Sequence, residues 1–328
     1  MAGPDPRPLV PVLVGPTAVG KTALTAALGH LLPITVISAD ARQVYRGLDI
    51  GTAKPDAALR AWLPHRGIDV VDPGERYSAG RFARDAAGWL AEIAADGRQA
   101  VVVGGTGLYI RALAGGLFRE PALDPARRDR LREWAQTMPA GALAQWASRL
   151  DPGFRGGGRQ RSARSVEMAL LTGRPLSWWQ REAWEAGVMR PWYILLTLPR
   201  DALHRRIAAR VDAMLAAGLV EEVRAELARG VPPDAPGLDA VGYREVAAMF
   251  AGRLPAADLR DAIVQATRQY AKRQETWFRH QLRGEGGSGA GEGSAWTLDA
   301  SEAPERLAAL VRDRWAAVPR SAIRNPQS

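Results

Sequence analysis

The amino-acid sequence predicts an α/β fold in which a mostly parallel sheet is flanked by helices and interrupted by a helical insertion. Short apolar runs alternate with segments of helical periodicity, a pattern typical of parallel sheets. The first apolar run leads into a glycine-rich loop that opens a helical segment. A long region in the middle of the chain is rich in arginine and tryptophan and shows little strand pattern. That region is therefore predicted to be a separate helical part.

The predicted strands are short and mostly apolar, as expected of strands that are buried on both faces. They are residues 9–14, 34–37, 100–103 and 193–198. The predicted helices repeat apolar residues at helical spacing. They include residues 22–32, 82–95, 201–215, 259–282 and 303–317.

The chain is predicted to have one core, one insertion and a tail. Residues 1–115 and 191–283 are the two parts of the α/β core, and residues 116–190 are the basic helical insertion domain. Residues 284–328 form the tail. It begins with GEGGSGAGEGS, a composition that favours a flexible linker, and ends with the last predicted helix.

The composition limits the classes of protein and partner. Of the 328 residues 47% are apolar and none is cysteine, which excludes disulfides and thiolate metal sites. Neither a signal peptide nor a membrane-spanning apolar run is seen, so we expect a cytoplasmic protein with no membrane partner. The net charge of +9 favours a polyanionic partner such as nucleic acid. Nothing indicates an obligate interface, and a monomer is expected.

The glycine-rich loop is a complete phosphate-binding loop, GPTAVGKT, which makes the predicted core similar to P-loop NTPases. Its glycines let backbone N–H groups turn inward around phosphate oxygens, and the following helix adds a partial positive charge. Lys21 supplies a full charge and the Thr22 hydroxyl can hold Mg²⁺. The loop does not reveal which phosphate compound binds, whether a nucleotide such as ATP or another. The residues expected at the phosphate are Gly15, Thr17, Ala18, Val19, Gly20, Lys21 and Thr22.

Two further groups follow predicted strands and are expected at the same edge of the sheet. Asp40 would serve as a general base or as a partner of Mg²⁺. Alternatively, Asp40 and Gln43 have the spacing of a helix capping box. In the segment GGTGLY, residues 104–109, the glycines would let the backbone approach a ligand and Thr106 would offer a hydroxyl. A plain turn from strand to helix is the alternative for that segment.

Two predicted helices place cations in different surroundings. Arg210 lies near the apolar face of residues 201–215, where a guanidinium needs an anion. A diphosphate and a structural carboxylate are both candidates. Arg268 and Lys272 point away from the apolar face of residues 259–282, which suits either contact with a nucleic-acid backbone or simple solvation.

Taken together, seven segments resemble the tRNA dimethylallyltransferase family, also called the isopentenyltransferases. They occur in the family's order and span about residues 10–280, and the second and the last are far more specific than the phosphate-binding loop. The segments are GPTAVGKT (15–22), SADARQVYRGLDIGTAKP (38–55), GGTGLY (104–109), RSARSVEMALLTGRPLS (161–177), RIAARVDAMLAAGLVEEV (206–223), VGYRE (241–245) and RQYAKRQETWFR (268–279).

The resemblance implies transfer of a dimethylallyl group from dimethylallyl diphosphate to N6 of adenosine 37, next to the tRNA anticodon. Asp40 would accept the proton from N6, and Lys21, Thr22 and Arg210 would hold the diphosphate and its Mg²⁺. Thr106 would contact the target nucleotide, which is flipped into a channel through the protein. The other residues expected to touch tRNA are Ala41, Arg42, Gln43, Arg128, Gln160, Arg161, Ser162, Ala163, Arg164, Tyr243, Arg244, Arg268 and Lys272.

The chain departs from the family pattern at two places. The residues just before Arg161 are Arg155 and three glycines, where the family usually has His-Pro-Asn-Asp, and Asp239 stands where a basic residue is common. Three other functions are weighed against prenyl transfer to tRNA: a small-molecule kinase or NTPase, a non-catalytic RNA-binding module, and a prenyltransferase acting on free adenine nucleotides. The long basic insertion favours a tRNA substrate over the first and the third.

Overall fold

The computed structural model describes residues 5–282 and 295–317. The described residues up to 114 and from 188 onward form one compact unit, and Gly115–Gly187 form a second. The predicted insertion, residues 116–190, thus nearly coincides with the second unit. The predicted linker, residues 284–294, lies outside the described residues.

The first unit is built on one parallel sheet, and all four predicted strands are present in it. The sheet order is β3-β2-β4-β1-β7-β8, and the paired strands are parallel. A separate antiparallel pair, β5 with β6, lies in the second unit. The strands are β1 Leu9–Val14, β2 Ile34–Ala39, β3 His65–Arg66, β4 Gln99–Gly104, β5 Leu117–Phe118, β6 Trp184–Glu185, β7 Arg190–Thr197 and β8 Trp296–Asp299.

Helices cover the sheet of the first unit and make up most of the second. Those of the first unit are α1 Lys21–Leu31, α2 Ala57–Trp62, α3 Ala79–Ala95, α4 Gly107–Gly115, α9 Arg200–Ala216, α10 Leu219–Ala228, α11 Tyr243–Phe250, α12 Leu259–Leu282 and α13 Pro304–Ala316. Those of the second unit are α5 Pro125–Thr137, α6 Ala140–Leu150, α7 Arg159–Thr172 and α8 Leu176–Glu182. No helix within residues 5–282 and 295–317 is long and apolar enough to span a lipid bilayer.

The central strands are apolar because both of their faces are covered. Val12 and Val14 of β1 and Ile34 and Ile37 of β2 are fully buried, which is the pattern of a parallel sheet with helices on both sides. Since all strands of this sheet run the same way, the loops that follow β1, β2 and β4 emerge at one edge. That edge holds the candidate site.

Candidate active site

The phosphate-binding loop connects β1 to α1. Gly15 has a φ of 149°, and a Cβ placed on it would lie 2.6 Å from the carbonyl oxygen of Leu196 on β7. Only glycine fits there. At the other end of the loop the Nζ of Lys21 donates to the carbonyl oxygens of Gly15, at 2.9 Å, and Pro16, at 2.8 Å. The lysine is thus folded back over the loop, where a phosphate group would compete for its N–H donors.

The charge of Lys21 depends on its neighbours. Burial lowers the pKa of Lys21 to about 7, the carboxylate of Asp40 opposes that shift, and the guanidinium of Arg210 adds to it. An anion in the loop would favour the charged form. The phosphate-binding loop is therefore electrostatically suited to bind an anion.

Asp40 lies immediately after β2 and its carboxylate is fixed by the local backbone. Its Oδ1 accepts a hydrogen bond of 2.8 Å from the N–H of Arg42. The capping-box alternative is wrong, because the residues after Asp40 form a turn and not a helix. Gln43 instead accepts from the hydroxyl of Ser38 and donates to the carbonyl oxygens of Thr52 and Ala53. The amide holds the loop around residue 52 in place.

Thr106 connects the loop after β4 to the loop that carries Asp40. Its Oγ1 accepts a hydrogen bond of 2.9 Å from the N–H of Ala41, the residue that follows Asp40. β2 and β4 are neighbours in the sheet, with Ala39 paired with Gly104, so the two loops start side by side. Thr106 therefore lies beside the candidate base, as the strand-end rule predicts.

Arg210 points from α9 toward the loop. Burial lowers the pKa of its guanidinium and the charge of Asp40 opposes that effect. Within residues 5–282 and 295–317 it forms no ion pair, so the alternative of a structural carboxylate partner finds no support. Arg206, one turn earlier, donates to the carbonyl oxygens of Val19 and Ala300 and faces the same loop.

Two adjoining cavities meet at these residues. One, of about 350 Å³, is lined by the phosphate-binding loop together with Arg206, Arg210 and Gln274. The other, of about 220 Å³, is lined by apolar side chains such as Met214 and Ile263 and by several arginines. Both cavities are lined by Thr17, Asp40, Thr52, Arg210 and Tyr270. The candidate base thus stands in the wall between a phosphate cavity and a second cavity.

Besides Arg210 and Asp40, three more arginines and one more carboxylate line the second cavity. Arg42, Arg244 and Arg273 line it, as does Asp239. Asp239 lies 3.8 Å from the Nη2 of Arg42 and 3.6 Å from the Nη1 of Arg244. The mouth of this cavity is therefore basic, with an acidic residue holding two of its arginines.

Several residues expected at tRNA are exposed. Arg244, Arg268 and Lys272 are exposed in the first unit, and Gln160 and Arg161 are exposed in the second. Two others are buried with their hydroxyls engaged inside the protein, and the expectation that they contact tRNA stays a prediction. Ser162 is buried and its hydroxyl is turned back to the carbonyl oxygen of Gly158. Tyr243 is fully buried, with its hydroxyl donating to Glu222 at 2.5 Å.

Two other predicted tRNA residues of the second unit belong to an ion-pair network. Arg128 and Arg164 both pair with Glu120, at 2.8 and 2.7 Å, and both also pair with the buried carboxylate of Glu167. These pairs tie α5 to α7. The guanidinium groups of Arg128 and Arg164 are thus engaged within the unit itself.

Sequence reasoning missed several residues that line the phosphate cavity, among them Arg206 and Gln274. A signal existed for each. Arg206 is one helical turn before Arg210 and so shares its face. Gln274 is one turn after Tyr270, on the stripe of residues 259–282 that is otherwise apolar. A polar residue on a buried stripe needs hydrogen-bond partners, and here they are in the active site.

A model of the IPP transferase family matches residues 43–281. A tRNA dimethylallyltransferase from Halorhodospira halophila is 48% identical over 83% of this chain and 90% of the relative. Another, from Stenotrophomonas maltophilia, is 44% identical over 85% of this chain and 92% of the relative. This chain belongs to the IPP transferase family. The fold of the IPP transferases agrees: the crystal structure of a tRNA isopentenylpyrophosphate transferase from Bacillus halodurans is similar with a TM-score of 0.66 and 32% identity, covering 95% of this chain and 96% of that one.

The IPP transferase match covers most of the candidate site. Thr106, Arg210 and Gln274 lie inside the matched residues, while the phosphate-binding loop and Asp40 precede them. The geometry joins both parts, because Asp40, Arg210 and Gln274 line one cavity. A kinase or a non-catalytic RNA-binding module is therefore set aside in favour of the chemistry of this family.

Proposed function

We propose that the protein is a tRNA dimethylallyltransferase whose reaction takes place at the wall between the two cavities. N6 of adenosine 37 attacks C1 of dimethylallyl diphosphate, and the new N–C bond forms as the bond from C1 to the diphosphate oxygen breaks. The proton of N6 passes to Asp40, and diphosphate leaves. The observation that carries this proposal is the position of Asp40, which lines both the phosphate cavity and the second cavity.

In this proposal the phosphate cavity takes the diphosphate. The backbone of residues 15–20 surrounds it, Thr17 and Thr22 offer hydroxyls, and Lys21, Arg206 and Arg210 supply positive charge. This charge stabilises the diphosphate as the bond to C1 breaks, because the negative charge on the leaving oxygen grows in the transition state. Arg210 also lines the second cavity, so it lies near the carbon that is transferred.

We also propose that Mg²⁺ accompanies the diphosphate. No group of three or more acidic or histidine side chains suitable for a metal ion occurs in the described part of the chain. The exposed hydroxyl of Thr22 and the carboxylate of Asp40 line the phosphate cavity, and Mg²⁺ commonly takes few protein ligands and completes its shell with phosphate oxygens and water. Bound there, the ion would neutralise part of the diphosphate charge.

The second cavity is proposed to receive the flipped adenosine. Its apolar walls suit a base, and the hydroxyl of Thr106, which accepts from the N–H of Ala41, lies beside the loop that carries Asp40. Arg42 and Arg244 at its mouth, with exposed Arg268 and Lys272 on α12, suit phosphate groups of the RNA. Exposed Gln160 and Arg161 would add contacts from the second unit. We further propose that the protein acts as a monomer.

The test is a transfer assay with several acceptors. Purified protein, Mg²⁺ and radiolabelled dimethylallyl diphosphate are incubated with unmodified tRNA, AMP or ATP, and the products are digested to nucleosides. We expect label on N6-(dimethylallyl)adenosine from tRNA alone. Label on AMP would instead assign the protein to the enzymes acting on free nucleotides. ATP hydrolysis without any transfer would overturn the proposal in favour of an NTPase.

A further inference from the structure

Gln274 is a buried polar residue on the inner face of α12, and both ends of its amide are used. It is 6% exposed. Its Oε1 accepts a hydrogen bond of 2.8 Å from the backbone N–H of Thr17. Its Nε2 donates one of 3.0 Å to the carbonyl oxygen of Gly105. One side chain therefore spans two loops that are far apart in sequence.

The two loops carry different parts of the proposed reaction. Thr17 belongs to the phosphate-binding loop, whereas Gly105 immediately precedes Thr106, whose hydroxyl accepts from Ala41 next to Asp40. A change in the separation of these loops would change the position of the diphosphate relative to the candidate base. Since Gln274 also lines the phosphate cavity, it is close enough to the ligand for such a change to be felt.

The fit between Gln274 and Gly105 is mutual. A Cβ placed on Gly105 would lie 2.1 Å from the Nε2 and 3.2 Å from the Cδ of Gln274, and the nearest atom outside that side chain, the carbonyl oxygen of Gly15, would be at 3.7 Å. A side chain at position 105 is thus excluded mainly by the glutamine amide. The glycine leaves room for the glutamine, and the glutamine fills the space that the glycine leaves.

We propose that Gln274 is a positioning residue that sets the separation between the phosphate-binding loop and the loop carrying Thr106. The inference rests on the proposed function for the reaction that Gln274 supports. The link that Gln274 makes between the two loops, called the clamp below, rests on the two hydrogen bonds alone. Its contribution is orientation: small misplacements of reacting groups lower rates strongly. Gln274 does not touch the reacting atoms in this role.

The first test replaces Gln274 by methionine, which keeps the volume and removes both hydrogen bonds. The control is Gln269→Met, an exposed position on the same helix. For Gln274→Met we expect kcat to fall by about 10- to 100-fold, with tRNA affinity within twofold of wild type and with cooperative thermal unfolding retained. Wild-type kcat in a folded Gln274→Met protein would overturn the inference. So would an equal loss in Gln269→Met.

A second test uses the fit with Gly105. In the wild-type background Gly105→Ala must displace the glutamine amide, so we expect kcat to fall by about tenfold, within the range for contacting residues. In a Gln274→Ala background the space is free, and the same change should alter kcat by less than about twofold. An equal loss of kcat on Gly105→Ala in both backgrounds would show that Gly105 and Gln274 act independently and would contradict the proposal.

Binding of inorganic diphosphate, measured by calorimetry, separates this inference from the proposed function. The loop that carries Thr17 loses a hydrogen bond in Gln274→Met, so we expect diphosphate to bind at least about threefold more weakly than to wild type. If wild type transfers no prenyl group to tRNA but this weakening occurs, the proposed function fails and the clamp stands. Unchanged diphosphate affinity together with unchanged kcat in an active enzyme would sink the clamp alone.

Discussion

At the scale of single residues, three side chains share one electrostatic environment. The charge of Asp40 raises the pKa of both Lys21 and Arg210, against the effect of burial. Two cations and one carboxylate leave a net positive site, and a diphosphate brings the missing negative charge.

Replacing Asp40 by asparagine tests its role as the base. Asparagine keeps an oxygen for the N–H of Arg42 but cannot accept the proton of N6. We expect kcat to fall by about 10²- to 10⁴-fold, the usual contribution of general-base catalysis, while the affinity for tRNA stays close to wild type. The measurement pairs single-turnover transfer with filter binding. A parallel loss of tRNA affinity would contradict the role.

The lowered pKa of Lys21 predicts that diphosphate binding is coupled to the uptake of a proton. Because its pKa is lowered to about 7, the free enzyme holds it mostly neutral above that pH, and bound diphosphate raises the pKa again. Binding therefore takes up a proton above about pH 7, and diphosphate affinity falls as the pH rises. Calorimetry at pH 8 in two buffers of different ionisation enthalpy should give different heats. Equal heats, or unchanged proton uptake in Lys21→Met, would refute it.

At the scale of elements, helix α10 holds the loop between β2 and α2. The carboxylate of Glu222 accepts from the N–H groups of Asp49, Ile50 and Gly51 and from the hydroxyl of Tyr243. The same loop presents Thr52 to both cavities. The sequence RGLDIGTAKP, which has no regular pattern of its own, is thus held in part by one acidic side chain from a helix about 170 residues later in the chain.

Removal of that carboxylate should cost stability. For Glu222→Ala we expect the free energy of unfolding to fall by about 1–3 kcal/mol, since several donors lose their acceptor. The neighbouring Glu221 is exposed, and its one ion pair among the described residues is with Arg224, at 3.5 Å. Glu221→Ala therefore serves as the control and should change stability little. Urea unfolding measures both. Equal effects would show that the loop does not depend on Glu222.

The sequence predicted the elements whose pattern is local and missed those fixed by distant partners. The four apolar strands, the phosphate-binding loop and helix α12 were visible because burial and periodicity lie within each segment. Strand β3 has two residues and exists only through pairing with Val36 and Ile37, which no local pattern reveals. The burial of Tyr243 is likewise set by Glu222 and the loop at Gly51, which no local pattern in VGYRE reveals.

At the scale of the whole molecule, the net charge of +9 favours RNA binding where the cationic side chains are exposed and not paired with acidic side chains. Exposed Arg268 and Lys272 on α12 form no ion pair with any described residue. By contrast, Arg128 and Arg164 are engaged by Glu120 and Glu167. The net charge alone therefore says less about RNA affinity than which cationic side chains are free of acidic partners and which are paired with them.

Lys272→Ala tests this distribution. One phosphate contact fewer should weaken tRNA binding and reduce the slope of log affinity against log salt by about one. Arg306→Ala on α13, an exposed cation that pairs with Glu302, is the control and should leave the slope unchanged. Binding is measured over a range of salt concentrations. An unaltered slope for Lys272→Ala would return this lysine to simple solvation.

The shared wall of the two cavities has a consequence for turnover. If the prenyl donor and the RNA reach the reacting carbon from different cavities, they do not compete for the same space. An excess of tRNA is then not expected to displace diphosphate from the phosphate-binding loop, nor an excess of diphosphate to displace the RNA.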